Sequence, residues 1–319
     1  MSSASAGTTT MTSYRVNEFG GPDVIRAEVL PLDEPGAGEM RVRIKAIGVG
    51  PWDSWIRSGK SALPQPLPLT LGSDYSGVVD ALGLDVKGFK PGDAVYGVTN
   101  ERFTGAYSDY AIVKAAMGGH KPVTIGDVEA ASVPVIAVTA KQALFQHARL
   151  TASQTVLIHG AAGSVGAFAV QLARRAKLKI IATCATEDVD YVKGLGANLV
   201  IDYKKQKFDE ATDGVDAVID LVGGETQLRS FGVVRHGGYL ISAVSKPDEE
   251  LAAKLGIHAS FFLVAVTTGE LVDISAAIDS GELETRLGKV LPLSKATEAH
   301  EMLEGTRPRG KGKIVMTVE

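Results

Sequence analysis

The stretch TVLIHGAAGSVGAFAVQLARRA, residues 155–176, decides how the chain folds. An apolar run of strand length, 155–159, enters the small-residue turn Gly160-Ala161-Ala162-Gly163-Ser164-Val165-Gly166 and leaves it as an amphipathic helix, 164–176. Such a turn is tight, lets a backbone approach a pyrophosphate, and uses its last glycine to pack helix on strand. The free N–H groups of the helix start and the positive end of its dipole then face the phosphates. Around the turn, strand and helix patterns alternate from Asp127 to about Val266. Strands are expected at 179–183, 198–202, 217–221, 239–243 and 261–264; helices at 128–146 (interrupted by Pro134), 188–195 and 249–255. That alternation implies an α/β domain, a doubly wound parallel sheet covered on both faces. In this context the turn reads as a dinucleotide site and not as a plain strand–helix corner.

Upstream the pattern is different. MRVRIKA, 40–46, alternates with Met40, Val42, Ile44 and Ala46 on one face, the period of a half-buried strand. Short apolar runs at 77–79, 94–98 and 110–113 follow, separated by Pro64, Pro66, Pro68, Gly88, Pro91-Gly92-Asp93 and Gly118-Gly119. This predicts a compact, barrel-like β domain over 12–126, with the α/β domain over 127–266. Residues 1–11 read as a disordered tail, and 267–319 as helix 269–279, strand 289–293, helix 295–304 and a final strand 313–318.

Composition narrows the function. The 319 residues carry 33 Lys and Arg against 37 Asp and Glu, a net charge of −4, which gives no electrostatic footprint for nucleic acid. No apolar run approaches the ~18 residues that cross a bilayer. The single cysteine, Cys184, excludes an internal disulfide framework and any multi-cysteine zinc site. With no basic n-region or apolar h-region at the start, the expected location is the cytoplasm.

The second strand of the α/β domain bears on cofactor choice. NAD enzymes usually place an acid at its end for the ribose 2′-hydroxyl. Here Thr183 and Cys184 stand at that end, which tolerates a 2′-phosphate; Glu187 and Asp188 repel one if they point inward, and Tyr203, Lys204 and Lys205 offer compensating contacts. Both charge pairs also read as solvated loop residues. NADPH is the expected cofactor, with NADH as the alternative.

Longer motifs then stand in order: PGAGEMRVRIKAIGVGPWDSWIRSG (35–59), LGSDYSGVV (71–79), KPGDAVYG (90–97), GAYSDYAIV (105–113), VPVIAVTAKQAL (133–144), AAGSVG (161–166), LGANLVIDY (195–203), DLVGGET (220–226) and GKIVMTV (312–318). With these the chain resembles, over nearly its whole length, the zinc-free medium-chain dehydrogenase/reductases of the NADPH:quinone oxidoreductase type. The resemblance implies a GroES-like β-rich catalytic domain, 12–126, completed by 267–319, with the Rossmann NAD(P)-binding domain inserted. It also implies a homodimer paired through the nucleotide-binding domains.

What the resemblance implies for metal is an absence. The motif that reads Gly-His-Glu in zinc-dependent relatives is Gly72-Ser73-Asp74, so Ser73 replaces a ligand; the cysteine expected near Gly50-Pro51 is missing, and the histidines have no ligand spacing. Without zinc, an already electrophilic acceptor is the favoured substrate. The leading expectation is hydride transfer from NADPH to a quinone. An α,β-unsaturated carbonyl (enone or enal) reductase and a catalytically idle NADPH-binding protein are the alternatives. Cofactor contacts implied by the family are Pro51, Asp53, Thr139, Gly163, Ser164 and Val165; then Thr183, Cys184, Thr186 and Tyr203 around the adenosine ribose; then Val222, Ala243, Phe262, Leu263 and Lys313. Cys184 reads equally as a buried strand residue. The polar helpers of relatives are replaced by Gly50, Trp55 and Ser61, leaving no assigned proton donor. Trp52, Trp55 and Ser61 are weak pocket candidates, the tryptophans as an apolar wall or as β-domain core. Asp53 and Arg57 are expected to pair, shaping the pocket or holding the loop.

Overall fold

The computed structural model describes residues 9–63, 65–212 and 214–318. Residues 1–8 of the expected tail lie outside them, but Thr10 and Met11 are already strand.

The β-rich unit comprises residues up to Val135 together with 266–279 and 286–318. A small antiparallel sheet joins β1 (Thr10–Val16), β2 (Arg26–Pro31) and, after β3 (Glu39–Val49), the two-residue β4 (Leu69–Thr70), in the order β2-β1-β4. The central strand β3 pairs with β5 (Asp74–Leu82), which continues to β6 (Ala94–Val98). Strands β7 (Tyr110–Lys114) and β8 (Gly118–His120) join β3 and β6. The alternation read at 40–46 is borne out: Met40, Val42 and Ile44 are buried in one core cluster with Tyr75, Val95 and Tyr107, and Ala46 is buried in another with Ala131 and Val315. One element differs from expectation. Residues read as loop form a helix, Pro51–Arg57, because Pro51 suits a first helical position and Asp53 Oδ2 accepts the N–H of Gly50 at 2.8 Å.

The nucleotide-type unit holds 136–265 and 280–285. Its first boundary by contact falls after Val135, because the helix Asp127–Ala131 packs on β3 and β5. The expected long helix breaks before Pro134, resumes as Pro134–Lys141 and widens into a π-helical turn, Gln142–His147. The sheet contains β9 (Thr155–Ile158), β10 (Lys179–Cys184), β11 (Leu199–Asp202), β12 (Val215–Asp220), β13 (Val234–Ser242) and β14 (His258–Phe261). All are parallel, in the order β11-β10-β9-β12-β13-β14. This is the dinucleotide-fold order, whose strand order reverses beside β9. The strand expected at 261–264 ends at Phe261 instead. Its register closes with Ser242 opposite Phe261, and the chain then leaves the sheet.

The chain finally returns to the β-rich unit. β15 (Leu287–Pro292) lies parallel to β16 (Lys313–Thr317), which pairs antiparallel with β3.

Candidate functional site

The small residues of the turn are there for space. Gly160 has φ +69°, and a Cβ on Gly166 would stand 2.2 Å from Gly160 O and 2.7 Å from Ala161 Cα. Only glycine lets the helix Ser164–Arg175 sit this close to the turn. Gly163 precedes that helix in extended conformation, and the first intrahelical bond runs from Ala167 N to Gly163 O. The N–H groups of Ser164, Val165 and Gly166 therefore face outward at the positive end of the dipole. A pyrophosphate fits this cradle.

Beside it, polar side chains line the carboxyl edge of the sheet, and their proton directions are determined. Ser230 Oγ donates to Thr226 O at 2.6 Å, so it accepts from His159 Nε2–H at 3.0 Å. His159 Nδ1 is then the acceptor for the Thr183 hydroxyl at 2.9 Å. Burial lowers the His159 pKa to about 4, against the pull of Asp220, so the ring is neutral at pH 7. The hydrogen of Thr183 is thus taken; its oxygen can only accept. Asp220 uses Oδ1 for the N–H groups of Val222 and Gly223 at 3.0 and 2.8 Å. Its Oδ2 accepts from Gln227 and Ser242, both at 2.9 Å. His159, Ser230 and Asp220 were not singled out from sequence. The available signal was a polar residue closing an apolar run, HG after TVLI and D after AVI.

The other expected contacts of this unit are spread along the same edge. Thr183 and Cys184 end β10 and are buried, whereas Thr186 and Tyr203 are exposed. Thr186 donates to Asp202 at 2.7 Å, Lys204 pairs with Glu187 at 3.0 Å and Lys205 with Asp202 at 3.3 Å. Val222 and Leu263 are exposed, Ala243 half-buried, and Phe262 buried. Thr139 is buried on the helix Pro134–Lys141.

In the β-rich unit the helix Pro51–Arg57 carries the expected residues. Pro51 is exposed, Trp55 is 48% exposed, and Trp52 packs on the core with its Nε1–H donated to Ser73 Oγ at 3.0 Å. The two tryptophans thus do not form one wall. Ser61 accepts from Leu63 N and Gln65 Nε2 in the following loop. Lys313 Nζ lies 3.1 Å from Asp74 Oδ2 and 4.3 Å from the Trp52 ring centroid, all buried or half-buried. Asp53 is fully buried; burial drives its pKa up to about 7, with Gly50 N–H and Lys313 opposing and Asp74 adding. The expected Asp53–Arg57 pair does not form. Arg57 Nε donates to His300 Nδ1 at 3.1 Å, and its two NH groups reach Gly20 O, Ser54 Oγ and Glu304. This surround does not suit zinc: the Ser73 oxygen already receives the indole N–H, and the Lys313 ammonium sits beside it.

Residues 36–126 match the alcohol dehydrogenase GroES-like domain family, and 195–315 the zinc-binding dehydrogenase family. Human quinone oxidoreductase is 30% identical, the match spanning 94% of this chain and 96% of that protein. A quinone oxidoreductase structure from Coxiella burnetii superimposes with a TM-score of 0.90 at 31% identity, covering 98% of this chain and all (100%) of that one. A mycobacterial structure complexed with NADPH gives 0.84 at 28% identity, covering 96% of this chain and 99% of that one. The chain belongs to the medium-chain dehydrogenase/reductase family, in its quinone oxidoreductase group, and is an enzyme of that type.

Proposed function

We propose that this enzyme works without zinc and uses NADPH to reduce a quinone by hydride transfer. The observation that carries the reading is the glycine cradle, where a Cβ on Gly166 would strike Gly160 O at 2.2 Å. It is supported by the NADPH in the mycobacterial relative and by the names of the quinone oxidoreductases. When bound, the nicotinamide supplies the hydride. Gly163, Ser164 and Val165 hold the pyrophosphate through main-chain N–H groups. Val222, Ala243, Phe262 and Leu263 line the nicotinamide, and Thr139 adds a contact. Asp53 and Lys313, both buried, act by fixing the helix Pro51–Arg57 and its neighbours. A quinone is electrophilic enough that the protein's work is positioning and exclusion of water.

At the adenosine end Thr183 faces the ribose with lone pairs only. Recognition of a 2′-phosphate therefore falls to Tyr203 and the cations Lys204 and Lys205. Homodimer formation through the nucleotide-type units and a cytoplasmic location complete the proposal.

The test is NADPH oxidation with para-benzoquinone and with a simple enone, NADH serving as the parallel. Faster turnover with the quinone, and with NADPH over NADH, supports the reading. A preference for the enone moves the enzyme to the double-bond reductases. Tight NADPH binding with no turnover on either acceptor leaves an idle binder.

A further inference from the structure

Beyond β14 a last main-chain bond runs from Phe262 N–H to Ser242 O at 3.2 Å; the chain then leaves the sheet, and residues 263–265 have no strand partner among the described residues. Yet this segment is fastened at both ends by the π-helical turn Gln142–His147. Buried Gln142 donates from Nε2 to Ala265 O at 2.7 Å, and its Oε1 accepts Ala265 N–H at 3.2 Å. One side-chain amide thus gives a single residue both bonds that a neighbouring strand would give. At the other end the His147 ring lies on Phe262, centroids 4.2 Å apart and planes at 31°. Between the two fastenings stands Leu263, 55% exposed, whose main-chain N–H and C=O have no protein partner among the described residues. A π-helical turn is costly enough that its retention usually marks a function. Here the extra residue per turn lets Gln142 and His147, five positions apart, both reach the departing segment.

We infer that Gln142 is a positioning residue for nicotinamide: it replaces the missing strand and holds Leu263 so that its main-chain donor and acceptor meet the carboxamide. The inference rests on the proposed nicotinamide cofactor and on residues 262–263 lying along its reactive ring. Gln142 touches no reacting atom. It fixes the geometry of the segment that does.

Two variants test it. Gln142→Met keeps length and apolar packing but removes both bonds; Gln142→Glu keeps the acceptor for Ala265 N–H and loses the donor. Each is titrated with NADPH and with 2′,5′-ADP, which carries the adenosine end but no nicotinamide. The expected result is a Kd for NADPH weakened roughly tenfold in Gln142→Met and less in Gln142→Glu, with 2′,5′-ADP unchanged in both. The kcat with quinone falls in the same order. Equal weakening for NADPH and 2′,5′-ADP overturns the inference, since it means general damage to the unit. No change in either variant overturns it as well. If Gln142→Met does not fold, the Gln142→Glu titration decides alone. Should wild-type protein bind neither NADPH nor NADH, the cofactor reading fails first, an outcome distinct from an insensitive Gln142.

Discussion

Two buried polar clusters, one in each unit, solve the same problem in opposite ways. At the carboxyl edge of the parallel sheet every group is used: Asp220 accepts from Val222, Gly223, Gln227 and Ser242, and both His159 nitrogens are engaged. Beside the helix Pro51–Arg57, Asp53 is as deeply buried, yet its Oδ1 makes no hydrogen bond of ordinary geometry, although Tyr107, Lys313 and Asp74 all act on it. The difference has an energetic meaning. A satisfied network fixes one arrangement of donors and makes each member costly to remove. An unsatisfied carboxylate retains its proton to higher pH, and the fold pays for its charge in alkali.

The sharpest way to break the first cluster is Asp220→Ala. Four donors, two of them main-chain amides at the turn before the helix Gly224–Ser230, lose their acceptor at once. A loss of about 3–5 kcal/mol of stability is expected, read by denaturant unfolding. Asp220→Asn, which keeps one acceptor oxygen, should lose distinctly less. Equal losses would mean that shape, not hydrogen bonding, holds this corner.

Asp53→Asn probes the second cluster, through pH. The folded pKa of Asp53 is raised to about 7 from 3.8, so its stabilising contribution is complete in acid and is lost as pH rises between these values. His159 and His300 run the other way. Burial lowers them to about 4 and about 3 from 6.5, so what they contribute is present above 6.5 and lost as pH falls. Over roughly pH 4–6.5 wild type therefore has opposing slopes, each about 1.4 kcal/mol per pH unit per group. Asp53→Asn removes one of the opposing ones. Its Tm should fall more steeply than wild type on acidification, and its stability relative to wild type should improve from pH 5 to pH 8. Parallel Tm–pH curves would show that Asp53 does not titrate in this window.

This contrast also marks what the sequence could disclose. The alternation of strands and helices and the cradle were legible because they depend on local pattern: TVLI, then a small-residue turn ending in Gly166, where a Cβ has no room. The helix Pro51–Arg57 was missed although Trp52, Trp55 and Ile56 stand at i, i+3 and i+4, because seven residues show that spacing only once and the helix start depends on Asp53 turning back to Gly50, a side-chain choice. The Arg57–His300 bond joins residues 243 apart in sequence, and Gln142 meets Ala265 across 123. No spacing rule reaches so far. Asp53 and Arg57, four apart and opposite in charge, looked like a pair; the buried imidazole of His300 offered Arg57 a fixed acceptor instead.

The smallest expected effect lies outside both clusters, on the rim where charges are solvated. Lys204 and Glu187 are 3.0 Å apart with both side chains about half exposed, 50% and 51%. Such exposed pairs contribute little, so a ligand phosphate displaces one cheaply. If Lys204 serves the 2′-phosphate of NADPH, Glu187 competes for it. Glu187→Gln should then lower the KM for NADPH by roughly two- to fivefold and leave the KM for NADH unchanged. The gain should shrink as salt is added, because an exposed pair is screened. A KM that moves equally for both cofactors would place the phosphate elsewhere.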